Sequence, residues 1–99
     1  MILTSIGFVP TAKADRYIQQ LVKHWNHKLD IDYRDGVARI AFNSNVDLVL
    51  EARNGGIAMT LTSPSDEDDV RFRNVFEQHL DRFAFREARL AYDWTRSRN

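Results

Sequence analysis

Hydrophobic residues recur at helical spacing in two stretches of the chain. In the first, from Thr11 to Lys28, they fall three and four positions apart: Ala14, Tyr17, Ile18, Leu21, Val22 and Trp25. This spacing places them on one face of an α-helix, and such a face needs a surface to pack against. The second stretch follows Ser63-Pro64-Ser65, and its apolar face comprises Phe72, Val75, Phe76, Leu80 and Phe83, with His79 in the middle. The pattern predicts two amphipathic helices.

Between and around these stretches, apolar and polar residues alternate as they do in β-strands. The alternating segments are 2–9, 29–34, 37–42, 46–52, 57–61 and 90–95. Asp35-Gly36 is a strong hairpin-turn signal between two of them, and Asn43-Ser44-Asn45 indicates another turn. The first segment alternates weakly, which predicts a strand partly at a sheet edge. The polar residues from Arg96 onwards predict a frayed end.

The predicted element order is therefore βαββββαβ within one domain, residues 1–99. One antiparallel sheet with both helices on a single face satisfies the pattern, because each helix and the sheet have one apolar side. This is a two-layer α+β fold. Its outer sheet face is predicted to carry Asp30, Asp32, Arg34, Arg39, Asp47, Glu51 and Thr60. The element order is similar to that of TATA-box-binding-protein-like folds, an analogy that implies no function.

Composition excludes several classes of function. The 14 basic and 14 acidic residues balance, so no net field would hold the chain on nucleic acid or on an anionic membrane. With 0 cysteines there are no disulfides, thiolate metal sites or thiol nucleophiles. The sequence has neither the pattern of a signal peptide nor an apolar run of about 20 residues, which predicts a soluble cytoplasmic protein.

No pattern points to a catalytic residue. The serines lack the Gly-x-Ser-x-Gly context of a nucleophile elbow, and Gly55-Gly56 joins two predicted strands instead of opening a helix on a phosphate. Asp30 and Asp32 share the outer sheet face, where no difference in surroundings would raise the pKa of one above that of the other. They therefore do not match the acid and base pair of a glycosidase. The run Asp66 to Asp69 lacks the spaced ligands of a calcium loop and is interpreted as negative charge at a helix N-terminus.

The three histidines form a candidate metal site. His24 and His27 are three positions apart on the first helix, and His79 could approach them if the two helices pack side by side. Three imidazoles suit zinc, iron or copper, and three protein ligands with an open position are typical of a catalytic rather than a structural zinc site. In the alternative interpretation, His79 is a core histidine bonded to a backbone carbonyl or to Tyr17, His24 packs beside Trp25, and His27 is solvated.

A binding surface is the other candidate. The first helix carries Lys13, Arg16, Lys23 and Lys28 against Asp15 alone, which favours a small anion or an acidic partner face. The candidate ligand-binding residues are Lys23, His24, His27, Lys28, His79 and Arg82. The leading hypothesis is a non-catalytic module that recognises a partner protein or a small anionic ligand. The alternative is a histidine-ligated metal-binding protein, for which catalysis is left open. A monomer or a weak homodimer is expected.

Three stretches carry a resemblance to a known family. They are Lys23-His24-Trp25-Asn26-His27-Lys28, then His79-Leu80 with Arg82-Phe83-Ala84-Phe85-Arg86-Glu87, and finally Asp93-Trp94. Together they resemble the bacterial domain of unknown function 2218 family over nearly the whole chain. The resemblance implies a compact α+β domain with no established activity, found alone or attached to siderophore-related flavoprotein reductases. It thus suggests a connection with iron handling.

Overall fold

The computed structural model describes residues 2–84 and 90–98. Along the chain it has β1 (Leu3–Pro10), α1 (Ala14–Trp25), β2 (Asp30–Arg34), β3 (Val37–Ala41), β4 (Asp47–Arg53), β5 (Gly56–Ser63), α2 (Asp66–Phe83) and β6 (Asp93–Arg98). The α+β class and the order βαββββαβ are confirmed. Phe85, Arg86 and Glu87, which belong to the second stretch of the family resemblance, lie outside the described residues. So does Asn99, the last residue of the predicted frayed end.

The strands form one six-stranded antiparallel sheet in the order β2-β3-β4-β5-β1-β6. Strand β1 is an interior strand, since Leu3 pairs with Ser63 on one side and with Arg98 on the other. The predicted edge position was therefore wrong. Its alternation is weak for another reason: the small residues Ser5 and Gly7 face the helices and are buried there.

Gly7 shows why a small residue is needed on that face. A Cβ atom at Gly7 would lie 2.7 Å from Cε of Met59 and 2.8 Å from Cε3 of Trp94. Both side chains therefore fill the space that a larger residue at position 7 would occupy. They come from the two strands that flank β1 and cover it on the face that carries the helices.

Both helices pack on the same sheet face, and the core lies between the two layers. Its fully buried side chains include Ile18 and Leu21 of α1, Phe76 and Leu80 of α2, and Met59 of β5. Polar and charged residues alternate on the opposite, outer face, as predicted, so one face is packed and the other is open. Neither helix in the described ranges has the length and apolar character needed to cross a bilayer.

The first helix is shorter than the sequence predicts. It begins after Lys13 rather than at Thr11, because Thr11 is buried and its N–H donates to the carbonyl of Gly55. The Thr11 hydroxyl accepts the N–H of Lys13 at 3.2 Å but does not cap the helix. The helix ends at Trp25, whose carbonyl accepts the N–H groups of Lys28 and Leu29 as the chain turns into β2.

The second helix begins at a serine cap, Ser65. Ser65 Oγ accepts the N–H of Asp68 at 3.2 Å, which satisfies one donor of the first turn. Asp69, the last residue of the acidic run, is fully buried, which its interpretation as negative charge at the helix N-terminus did not anticipate. It accepts hydrogen bonds from Ser5 Oγ at 2.6 Å, Arg96 at 2.9 Å and Arg73 at 3.0 Å.

Strand β6 is fastened to α2 by polar contacts at alternate residues. Tyr92 Oη, just before the strand, donates to Oδ1 of Asp81 at 2.7 Å, and Trp94 Nε1 donates to Oε2 of Glu77 at 2.7 Å. Arg96 bonds to Asp69 in the same way. The strand continues through Arg98, so Arg96 belongs to the sheet and the frayed end predicted from that residue was wrong.

Candidate functional site

The two helices meet along a line of rings that we call the helix seam, formed by His24 and Trp25 of α1 and His79 and Phe83 of α2. The ring centroids of His24 and His79 are 5.3 Å apart, and those of Trp25 and His79 are 5.0 Å apart. His24 also meets Phe83 edge to face at 5.8 Å. The predicted approach of His79 to His24 therefore occurs in the structure.

The surroundings of His79 fix its tautomer. Its Nδ1 lies 2.7 Å from the carbonyl oxygen of Val75, one helical turn earlier. Because a carbonyl oxygen only accepts, Nδ1 carries the proton and Nε2 is left with its lone pair. The ring is half-buried against Trp25, which is only 4% exposed, while His24 is exposed. The seam thus presents one oriented imidazole beside one solvated imidazole.

A row of aromatic rings extends the helix seam to the turn between β3 and β4. Trp25 meets Phe42 edge to face at 5.4 Å, and Phe42 stacks on Phe72 at 4.9 Å. The guanidinium of Arg71 lies 5.3 Å above the Phe72 ring. The place of Phe42 in this row was not predicted from the sequence, where its only signal was an aromatic residue at a strand end beside a turn. The row gives the seam a rigid base.

The six predicted ligand-binding residues fall into two groups. Lys23 and His24 on α1, and His79 and Arg82 on α2, belong to the helix seam or to positions adjacent in sequence. His27 and Lys28 line a separate hollow of about 750 Å³ at the end of α1. The carboxylates of Asp30 and Asp47 line that second hollow too. The structure therefore does not bring the six residues together in one site.

The predicted three-histidine cluster is not formed. Within residues 2–84 and 90–98, no group of three or more His, Asp or Glu side chains is placed to share a metal ion. His27 lies in the turn that follows Trp25 and lines a hollow separate from the helix seam. The structure retains the pair formed by His24 and His79.

The positive charges are distributed unevenly between paired and unpaired side chains. Ion pairs with carboxylates occupy Arg34, Arg53, Arg73 and Arg96. In contrast, no carboxylate of the described part of the chain lies within ion-pair distance of Lys23 or Arg82, and both side chains are exposed. Lys23 also lines a hollow of about 300 Å³ with Arg16, Gln19 and Gln20 on the outward side of α1. Each of these two unpaired cations immediately precedes a seam residue in the chain, His24 and Phe83 respectively.

The outer sheet face has a hollow of its own, of about 500 Å³, over strands β2 to β5. Its polar lining comprises Asp30, Asp32, Arg39, Asp47 and Thr62. This is the mixed-charge face predicted from the sequence, and three of these four charged side chains are carboxylates. It suits solvent and lacks the excess of positive charge found beside the seam.

Two tyrosines outside the seam have raised pKa values. Burial, then the hydrogen bond to Asp81, raises the pKa of Tyr92 far above its ordinary value. The hydrogen bond to Asp15, with burial second, raises the pKa of Tyr33. In both cases ionisation would put a phenolate beside a carboxylate. Both phenols therefore stay neutral and act as structural donors.

Comparison with other proteins supports the fold and leaves the function open. The model of the family described as "Uncharacterized protein conserved in bacteria (DUF2218)" matches residues 7–95. Among solved structures, the NMR structure of PA4090 from Pseudomonas aeruginosa is similar, with a TM-score of 0.79 and 30% sequence identity. The match covers 94% of this chain and 95% of that one. No similar protein was found among the curated proteins. The similarity to TATA-box-binding-protein-like folds stays a prediction.

The family model thus spans both helices, the seam histidines and the first half of β6, the stretches in which the sequence showed its resemblance. The chain belongs to the DUF2218 family of bacterial proteins.

Proposed function

We propose that the protein is a non-catalytic binding module that recognises carboxylate or phosphate groups beside the helix seam. The observation that supports this proposal is the pairing of the cations. Lys23 and Arg82 are exposed, immediately precede seam residues in the chain, and have no ion-pair partner in its described part, whereas Arg34, Arg53, Arg73 and Arg96 are matched to carboxylates. An unmatched cation attracts an external anion more strongly than a neutralised one.

The rings of the seam add a second element to the proposed recognition. His24 is exposed and Phe83 is half-buried, so a ligand that pairs with the cations also meets ring surface. Ring surface favours a ligand with an apolar body in addition to its charge. The chemistry proposed is therefore an anionic group on a carbon framework, which could be an acidic side chain of a protein or a small organic acid.

Heteronuclear NMR of the protein would test this proposal with two probes, a glutamate-rich peptide and citrate, after treatment with a chelating resin. We expect amide shifts concentrated at Lys23, His24 and Arg82. Lys23→Glu should weaken binding by roughly three- to tenfold, since one exposed attraction becomes a repulsion. Binding of the peptide alone would indicate a protein partner, and binding of both probes would indicate that the anionic group itself is recognised.

Lys28→Glu is the matched control because it makes the same charge change on the same segment, but beside the other hollow. Equal weakening by both variants would mean a general charge effect and would contradict the proposal, as would the absence of binding to either probe at millimolar concentration. A cytoplasmic location and a connection with iron handling stay predictions.

A further inference from the structure

We infer that His24 and His79 form a two-histidine site for a divalent transition-metal ion of the Zn²⁺, Ni²⁺ or Cu²⁺ type. The inference goes beyond the proposed recognition of anions and does not depend on it. It starts from the distance of 5.3 Å between the ring centroids of these two residues, which lie on different helices. Imidazole nitrogen is a preferred ligand of these ions.

The separation of the rings matches that of two imidazoles bound to one ion. A Zn–N bond is about 2.0–2.1 Å, and the ring centroid lies about 1.1 Å beyond the nitrogen, so each centroid would lie roughly 3.2 Å from the ion. At a tetrahedral angle the two centroids would then be roughly 5.2 Å apart. The observed 5.3 Å requires no movement of either helix to reach this value.

The hydrogen bond of its Nδ1 orients His79 for a metal ion. Its Nδ1 donates to the carbonyl of Val75 at 2.7 Å, which leaves Nε2 as the nitrogen with an available lone pair. Histidines that bind metal ions nearly always donate their other ring N–H to a carbonyl or a carboxylate, which orients the ring. Packing against Trp25 at 5.0 Å holds the ring in the same orientation. The His79 side chain therefore loses little conformational entropy when a metal ion binds.

His24 supplies the exposed half of the site. Because its side chain is exposed, the remaining positions on the ion would be open to water or to an external ligand. A bound divalent ion would also add positive charge next to Lys23 at neutral pH. The site is thus accessible, held by two protein ligands, and expected to bind more weakly than a closed structural site with four.

The test is a calorimetric titration of the tag-free protein with ZnCl₂ and, separately, CuCl₂ in a non-coordinating buffer. We expect one ion per chain, with Cu²⁺ bound more tightly than Zn²⁺ and no binding of Mg²⁺. His24→Gln should weaken Zn²⁺ binding by at least about tenfold. This exposed substitution leaves the core untouched, so loss of binding cannot be attributed to unfolding.

His27→Gln is the matched control, since His27 is also exposed and lies three positions further along the chain, beside the other hollow. It should bind Zn²⁺ as the wild type does. His79→Gln, checked by circular dichroism for a retained fold, should weaken binding as His24→Gln does. In the Cu²⁺ complex, electron paramagnetic resonance should show hyperfine coupling to imidazole nitrogen that His24→Gln reduces.

Three results would overturn the inference: no Zn²⁺ or Cu²⁺ binding by the wild type at submillimolar metal, binding that survives His24→Gln unchanged, or equal loss in His27→Gln. Because the titration contains no anionic probe and the NMR experiment contains no metal, either proposal can fail while the other stands.

Discussion

Asp69→Ala removes the acceptor that joins three parts of the fold. Its carboxylate is fully buried and accepts hydrogen bonds from Ser5 of β1, Arg73 of α2 and Arg96 of β6. After the substitution, the Ser5 hydroxyl and the Arg73 guanidinium lose this partner, while Arg96 keeps its ion pair with Asp66. An uncompensated donor in a buried position costs its full desolvation free energy, which is larger than the net value of the bond it made.

The expected loss follows from the exposure of these partners. Removing one member of a buried ion pair typically costs about 3–5 kcal/mol. The Arg73 and Arg96 side chains are 22% and 33% exposed, so both can turn partly to water. We therefore expect the lower end, about 3 kcal/mol of unfolding free energy. For a domain of this size that corresponds to a fall in Tm of roughly 12–24 °C.

Urea denaturation followed by circular dichroism would measure the change, with Glu67→Ala as the control. Glu67 belongs to the same acidic run and the same helical turn but is exposed, so its removal should cost only about 0.3–1 kcal/mol through the helix dipole. Asp69→Asn, which keeps the shape and one acceptor oxygen, should lie between the two. Equal losses for Asp69→Ala and Glu67→Ala would refute the reasoning, because the buried carboxylate would then act only as another charge at the helix N-terminus.

Two further predictions concern β1 and the segment that leads into β6. Gly7→Ala should lower the unfolding free energy by roughly 1–3 kcal/mol, because the new methyl group overlaps Met59 and Trp94; an unchanged urea midpoint would contradict this. The raised pKa of Tyr92 stabilises the fold below about pH 10, and this contribution is lost as pH rises through the ionisation of the unfolded phenol. Tyr92→Phe should therefore flatten the alkaline decline in stability, whereas an equally steep decline would show that burial and the bond to Asp81 have no such effect.

Local patterns along the chain predicted most of the fold, since helices and strands follow from the spacing of apolar residues. The pairing of His24 with His79 was also predictable, because two helices on one sheet face must meet along a line. Features that depend on distant segments were not predictable. Asp69 looks like a solvated charge in a run of acids until Ser5 and Arg96 are brought to it. The place of β1 between two strands has the same non-local origin.

The position of His27 shows a third kind of difficulty. Its spacing from His24 implies a shared helix face only while the helix continues, and the apolar pattern extends to Trp25 without marking the end there. Helix ends are decided by backbone hydrogen bonds such as those accepted by the Trp25 carbonyl, which the side-chain pattern does not encode.

Strand β1 comes first among the strands in the chain, yet it pairs only with segments that come much later. Leu3 meets Ser63 and Arg98, whereas β2 to β5 pair with their immediate neighbours through short turns. Contacts near in sequence cost less loop-closure entropy, so we expect the β2 to β5 meander to assemble with α1 before β1 is inserted. Until then β5 has an unpaired edge and β1 has none of its partners. We expect the folding chain to be most prone to aggregation during this interval. In the finished sheet, this edge of β5 and both edges of β1 are paired.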